Sequence, residues 1–166
     1  MKRCVTALLL LGLLLATGCV AHSLEGNPYQ VYFLNQAEDG TQALRAEGRT
    51  LPAQEEVVEE LLQALLAGPE SENLERTIPS SVVLRGWSLS KGLLTVDFSS
   101  RYGSLSGIDL TLADYSVVLT LTQLEEVEAV MITVEGELLT YRDHQRLTPQ
   151  DVQGTILGAE AQEGQE

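Results

Sequence analysis

Cysteine is nearly missing from this chain. Its 166 residues include two, Cys4 and Cys19, both close to the start. Beyond Cys19 there is neither a disulfide nor a cysteine-built zinc site to be made, and stability must come from a packed core. Histidine is as scarce: His22 and His144 stand far apart, and neither has the spaced second histidine of a metal site. Aromatic residues make up 5% and Trp87 is the one tryptophan, too few for the stacking surfaces of a sugar-processing cleft. Long apolar runs are lacking too. The longest, Val5 to Ala16, is about a dozen residues, short of the roughly 20 that span a bilayer. Basic residues are outnumbered 10 to 24 by acidic ones, for a net charge of −14. Such a surface repels nucleic acid and anionic wall polymers.

What is present at the start is a leader. Lys2 and Arg3 give a positive end, and Val5 to Ala16 is apolar apart from Thr6. The small residues Thr17 and Gly18 then precede Cys19. The run has the length of a signal-peptide core. An ordinary secretory site would not require the cysteine. Leu14-Leu15-Ala16-Thr17-Gly18-Cys19 resembles the lipobox of bacterial lipoproteins, in which the thiol takes a diacylglyceryl (palmitate-type) anchor. The expected organisation is a signal peptide over 1–18, a polar tether over 19–28, one domain over 29–157 and an acidic tail over 158–166. Because Lys2 and Arg3 leave with the leader, 8 basic residues remain against 24 acidic ones, a balance of −16.

Within the domain, Tyr29 to Asn35 is β-branched and aromatic, Glu38-Asp39-Gly40 signals a turn, and Gln42 to Ala46 reads as a second strand. Pro52 to Ala67 is the clearest helix. Val57, Val58, Leu61, Leu62, Leu65 and Leu66 form one stripe, glutamates fill the other side, and Gly68-Pro69 stops it. Val82 to Ser90, a Lys91-Gly92 turn and the alternating Leu94, Val96 and Phe98 read as a hairpin with one buried face. Ser99 to Gly107 reads as loop. Val117 to Thr122 alone suits a strand, but the pattern from Thr111 to Leu124 favours a helix: Thr111 and Asp114 have capping-box spacing, and Val117, Val118, Leu121 and Leu124 share a helical face. Ala129 to Val134 is a strand, Glu135-Gly136-Glu137 a turn, Leu138 to Tyr141 an edge return, and Thr148-Pro149-Gln150-Asp151 a helix start. The order β, β, α, β, β, α, β implies an α+β fold, a mostly antiparallel sheet with two helices packed on one face.

The search for chemistry yields no catalytic residue, no cofactor site and no metal site. Gly103-Ser104-Leu105-Ser106-Gly107 sits where a hydrolase nucleophile elbow would, but Leu105 occupies the position that needs serine. His144 beside Asp143 is a weak candidate for a serine–histidine arrangement. Asp97 alternates outward from its strand and is expected to bond the nearby loop, to sit in water or to bind a ligand, and Trp87 to be a core or sheet-face residue.

Several segments then line up in order. Tyr32-Phe33, Leu65-Leu66-Ala67-Gly68-Pro69 and Ile78-Pro79 form one part, and Gly92-Leu93-Leu94-Thr95-Val96-Asp97-Phe98-Ser99 a second. Leu119-Thr120-Leu121-Thr122-Gln123 with Val127, Val130, Ile132, Val134, Glu135 and Gly136 form a third. Over about Tyr29 to Gly136 the chain resembles the sporulation and spore germination (GerMN) domain family. The resemblance implies a non-enzymatic domain on envelope lipoproteins, often of spore-forming Gram-positive bacteria. Some relatives carry two copies and join the envelope complex between mother cell and forespore; this chain shows one copy. It also implies a fold similar to the ring-building domains of secretion systems, which oligomerise side by side.

The expected function is therefore that of a lipid-anchored module at the outer face of the cell membrane. It would be held there by Cys19 and act on envelope proteins or on copies of itself in sporulation or germination. A lipoprotein that binds a wall glycan or small solute is the alternative, and an envelope hydrolase with an unrecognised site is the third.

Overall fold

A computed structural model of the chain describes residues 27–36, 42–51, 57–140, 142 and 144–152. Cys19, His22, the Glu38–Gly40 turn, Pro52, Asp143 and the acidic tail lie outside them. The α+β expectation holds: the strands pair mostly antiparallel, and they divide into two sheets.

Strands β1 (Asn27–Gln36) and β2 (Gln42–Leu51) form an antiparallel ribbon, in register from Asn27 opposite Leu51 to Gln36 opposite Gln42. Strand β2 runs five residues past the expected end at Ala46. Its second half is polar in sequence because Glu47 is buried with a partner, so hydrophobic alternation does not mark it. Val31 and Phe33 point inward and are fully buried. Leu34, on the opposite side of the pleat, packs with Leu44 and Leu112 in a small second cluster.

Helix α1 (Val57–Ala67) buries Val58, Leu61, Leu62, Ala64 and Leu65, the stripe read from the sequence. It stops at Gly68, whose φ of +86° favours glycine and whose N–H donates back to the Ala64 carbonyl at 3.2 Å. The helix has no basic residue in its last turn. Cations from elsewhere take its open carbonyls: Arg76 donates to Leu66 and Ala67, and Arg49 to Gly68 at 2.8 Å.

Strands β3 (Leu84–Ser90) and β4 (Leu93–Phe98) form the expected hairpin. Lys91 and Gly92 have φ of 51° and 77°, the left-handed pair of a two-residue turn that suits strand twist. Leu94, Val96 and Phe98 have no exposed surface. The segment read as loop then holds a 3-10 turn at Tyr102–Ser104. Tyr102 is wholly buried, its ring stacked on Phe98 with centroids 4.7 Å apart.

Helix α2 (Gly107–Leu121) settles the strand-or-helix ambiguity in favour of helix, but its start needs correction. It begins four residues before Thr111, after Ser106, so Thr111 and Asp114 are not a cap. The Thr111 hydroxyl donates to the Gly107 carbonyl one turn back, and Asp114 is 5% exposed and turned inward. Strand β5 (Ala129–Val134) lies parallel to β4, with α2 as the crossover. Two short strands share its other edge: β6 (Glu137–Leu138), which takes in Glu137 of the expected turn and only Leu138 of the return expected over Leu138 to Tyr141, and β7 (Arg146–Leu147), which sequence reading did not find. Helix α3 (Pro149–Val152) starts where expected, with the Asp151 carboxylate accepting from the Thr148 N–H and hydroxyl at 2.7 and 2.8 Å.

One large core joins both sheets and both long helices. Helix α2 also bonds the backbone edge of β1. Its Thr120 hydroxyl accepts from the Tyr32 N–H at 3.1 Å, and Gln123 exchanges two bonds with the Gln30 backbone at 2.9 and 2.7 Å. No helix among the described residues is long and apolar enough to cross a membrane.

Candidate functional site

Three carboxylates are drawn out of solvent, and each gathers donors from distant parts of the chain. Asp97, on β4, accepts from the Thr133 hydroxyl and the Gly136 N–H, both at 2.8 Å, and from Arg85 Nε at 3.0 Å. Arg85 bridges on to Glu135 at 2.8 Å. Burial alone would raise the Asp97 pKa. The bonds from Gly136, Thr133 and Arg85 outweigh it and hold the carboxyl below its ordinary range. Asp97 thus bonds the adjacent turn, one of the three roles its position suggested.

Glu47, on β2, is 9% exposed. It accepts from the Ser71 N–H at 2.7 Å, the Glu70 N–H at 3.1 Å and Arg49 Nε at 2.7 Å. Arg49 lies over the Phe33 ring, 5.8 Å from its centroid. Burial again opposes ionisation, yet these donors bring the carboxyl from 4.5 down to about 2. The cluster ties the ribbon to the loop that follows α1.

Asp114, on α2, is the most secluded. Its Oδ1 accepts from the Tyr102 hydroxyl at 2.7 Å and from Arg142 Nη2 at 2.6 Å. Arg142 also donates Nη1 to the Ile132 carbonyl at 2.9 Å, while its buried Nε meets no acceptor. Both side chains are more than nine-tenths buried. Burial pushes the Asp114 carboxyl above its ordinary range, and Arg142 and Tyr102 pull it only part of the way back. The pair borders a concavity of about 340 Å³ between one face of α2 and the segment leading to β7.

The other sequence candidates disperse. His144 is exposed on the rim of that concavity, and its neighbour Asp143 is outside the described residues. Trp87 is half-buried on the sheet and donates Nε1 to Glu59 of α1 at 2.8 Å. The Gly103–Gly107 stretch forms the 3-10 turn and the start of α2, with the Ser104 hydroxyl donating to the Arg101 carbonyl. Among the described residues no three His, Cys, Asp or Glu side chains cluster as a metal site. Sequence reading missed the Tyr102–Asp114–Arg142 group altogether. Its one local signal was an aspartate amid the apolar residues of α2; the partners are 12 and 28 residues away.

Fold and clusters together define a compact α+β module whose buried charges fasten loops, turns and the C-terminal segment to a shared core. A family model described as Germane, sporulation and spore germination, matches residues 30–140. The chain belongs to that family. Among solved structures it is similar to the tandem GerMN domains of the sporulation protein GerM from Bacillus subtilis, with a TM-score of 0.63 and 22% identity over 80% of this chain. It spans about half of that structure, 48%. The first GerMN domain of the same protein gives a TM-score of 0.63 at 20% identity, covering 75% of this chain and 99% of that one. A candidate lipoprotein from Clostridium perfringens gives 0.51 at 15% identity, covering 78% and 91%. At these identities the likeness is one of fold. No curated protein matches the chain.

Proposed function

We propose that this GerMN-domain chain is a lipid-anchored module at the extracytoplasmic face of the cell membrane. It acts by contact with envelope proteins or further copies of itself in sporulation or germination, without catalysing a reaction. The observation that carries this reading is the Leu14–Cys19 segment, with small residues before a cysteine at the end of a short apolar run, ahead of a domain of this family. Two acyl chains on one cysteine attach a protein stably where one would not. The use of Asp97, Glu47 and Asp114 as fasteners also favours a binding scaffold over an enzyme.

The test is Cys19→Ser in the full chain, produced in a bacterium with lipoprotein processing. The unmodified chain should fractionate with membranes in cleaved form, and the variant should stay uncleaved or be shed. A cleaved variant that still partitions with membranes refutes the anchor. Crosslinking in intact cells addresses the contacts: discrete higher-mass adducts are expected, and a chain that stays wholly uncrosslinked at saturating reagent argues against them.

A further inference from the structure

Strand β2 ends the ribbon in an edge that the fold leaves bare. On β1, the N–H groups of Gln30, Tyr32 and Leu34 point away from β2 and donate to Gln123, Thr120 and the Glu75 carbonyl. In an antiparallel pair, the residues opposite such positions also turn their backbone groups outward. These are Gly48, Ala46 and Leu44. Their N–H and C=O groups meet no partner among the described residues. Ala46 and Gly48 are exposed, and a Cβ added at Gly48 would find no atom within 4 Å. The other sheet edges are guarded, as edges commonly are. Side chains of α2 and the Glu75 backbone cover β1, and β6 and β7 cover β5. The free side of β3 is interrupted by a register shift between Leu84 and Gly86. Strand β2 has none of these devices: its 10 residues pair in unbroken register and include no proline.

We infer that the β2 edge receives an added strand: an extended segment of a partner protein with an acidic residue between two apolar ones. Backbone pairing supplies the affinity, and the side chains beside Leu44, Arg45 and Ala46 supply the selectivity. Arg45 is exposed and meets no carboxylate among the described residues, whereas Arg49 is taken by Glu47 and Glu70. An acidic residue beside Arg45 would complete a cross-strand charge pair. Its two neighbours would then fall on the opposite face, beside Leu44 and Ala46. On that face Leu44 packs with Leu34 and Leu112, and the half-buried Tyr32 stands opposite Ala46. Ala46 and Gly48 put no bulk in the way of apolar side chains lying along this cluster. A second copy of the chain suits the edge less well, because two net charges of −14 repel. The inference rests on the contact reading given above and assigns those contacts a place on the molecule.

Backbone NMR titration of the full chain tests this with the acetylated, amidated peptide STVEVTS. Saturable shifts confined to Leu44 to Thr50 and the facing part of β1 are expected. The peptide STVKVTS should bind about five-fold more weakly, and Arg45→Glu should reverse that preference. Methylating the backbone nitrogens of the two valines removes the donors that face β2 and should weaken binding about ten-fold. The Ala46 N–H lies outside the β1–β2 ladder, so Ala46→Pro removes an edge donor while keeping the ribbon, and should weaken binding as much. Absence of saturation, a preference that Arg45→Glu leaves unchanged, or equal binding of the methylated peptide overturns the inference; the methylated peptide decides it even if Ala46→Pro fails to fold. In crosslinked cells, Ala46→Pro should remove adducts with other proteins. Adducts that all persist in a folded variant would keep the contact reading and overturn this edge as their site. Loss only of an adduct of twice the chain's mass would assign the edge to a second copy, and also overturn the inference.

Discussion

Replacing Glu47 by glutamine gives the sharpest test of how the ribbon is held to the rest of the domain. The glutamate is buried among the Ser71 and Glu70 backbone donors and the Arg49 guanidinium. Glutamine keeps the shape, but it removes the charge and turns an NH2 toward groups that can only donate. The fall of the carboxyl pKa from 4.5 to about 2 corresponds, at about 1.36 kcal/mol per pH unit, to roughly 3 kcal/mol of stability at neutral pH. Because the folded-state pKa lies below the unfolded one, this contribution is complete above 4.5 and is lost as pH falls toward about 2. Urea unfolding of both chains, followed by circular dichroism at several pH values, measures it. At pH 7 the variant should unfold at markedly lower urea. Between pH 5 and 2 the gap should close, since a protonated glutamate and a glutamine are electrically alike. An equal midpoint at pH 7, or a gap that stays constant down to pH 2, would refute the account.

Two further substitutions probe other fasteners. Phe98→Ala removes a fully buried ring and the stacking partner of Tyr102, and should cost about 3–5 kcal/mol in the same unfolding experiment. Arg142→Ala strands the Asp114 carboxylate, and breaking a buried pair in this way costs about 3–5 kcal/mol. The loss should appear first as faster amide exchange in Gln145 to Val152, because Arg142 leads into β7 and α3.

Elements with one buried face were legible in the sequence. The α1 stripe and the alternation of Leu94, Val96 and Phe98 are periodic because each element has a dry side and a wet side. Strand β5 was read from alternation, although the structure buries Ala129, Val130, Ile132 and Thr133 and so leaves no strictly wet side. Helix α2 was located but its start misplaced. It is buried around most of its circumference, through Leu110, Leu112, Ala113, Ser116, Val117, Val118 and Leu121, so no polar stripe marks its limits. A chance Thr-x-x-Asp spacing then stood in for the real beginning. Asp114 looked like a cap because sequence shows spacing and not direction. The Asp114–Arg142 pair could not be read at all, since joining it requires β5 and β7 to bring residue 142 back across α2. Asp97 was easier: its partners Thr133 and Gly136 follow from pairing β4 with β5.

The parallel pairing of β4 with β5 has a consequence for how the chain reaches its fold. The β1–β2 and β3–β4 ribbons join neighbours in sequence, but β5 finds its place only after α2 has crossed over, which makes it a late contact. Until then Ala129-Val130-Met131-Ile132-Thr133-Val134 is an uncharged, proline-free segment of strong strand preference, the composition that aggregates when exposed. Glu125, Glu126 and Glu128 stand just before the segment, and Glu135 and Glu137 just after it. These charges act as gatekeepers, so part of the chain's acidity serves its folding.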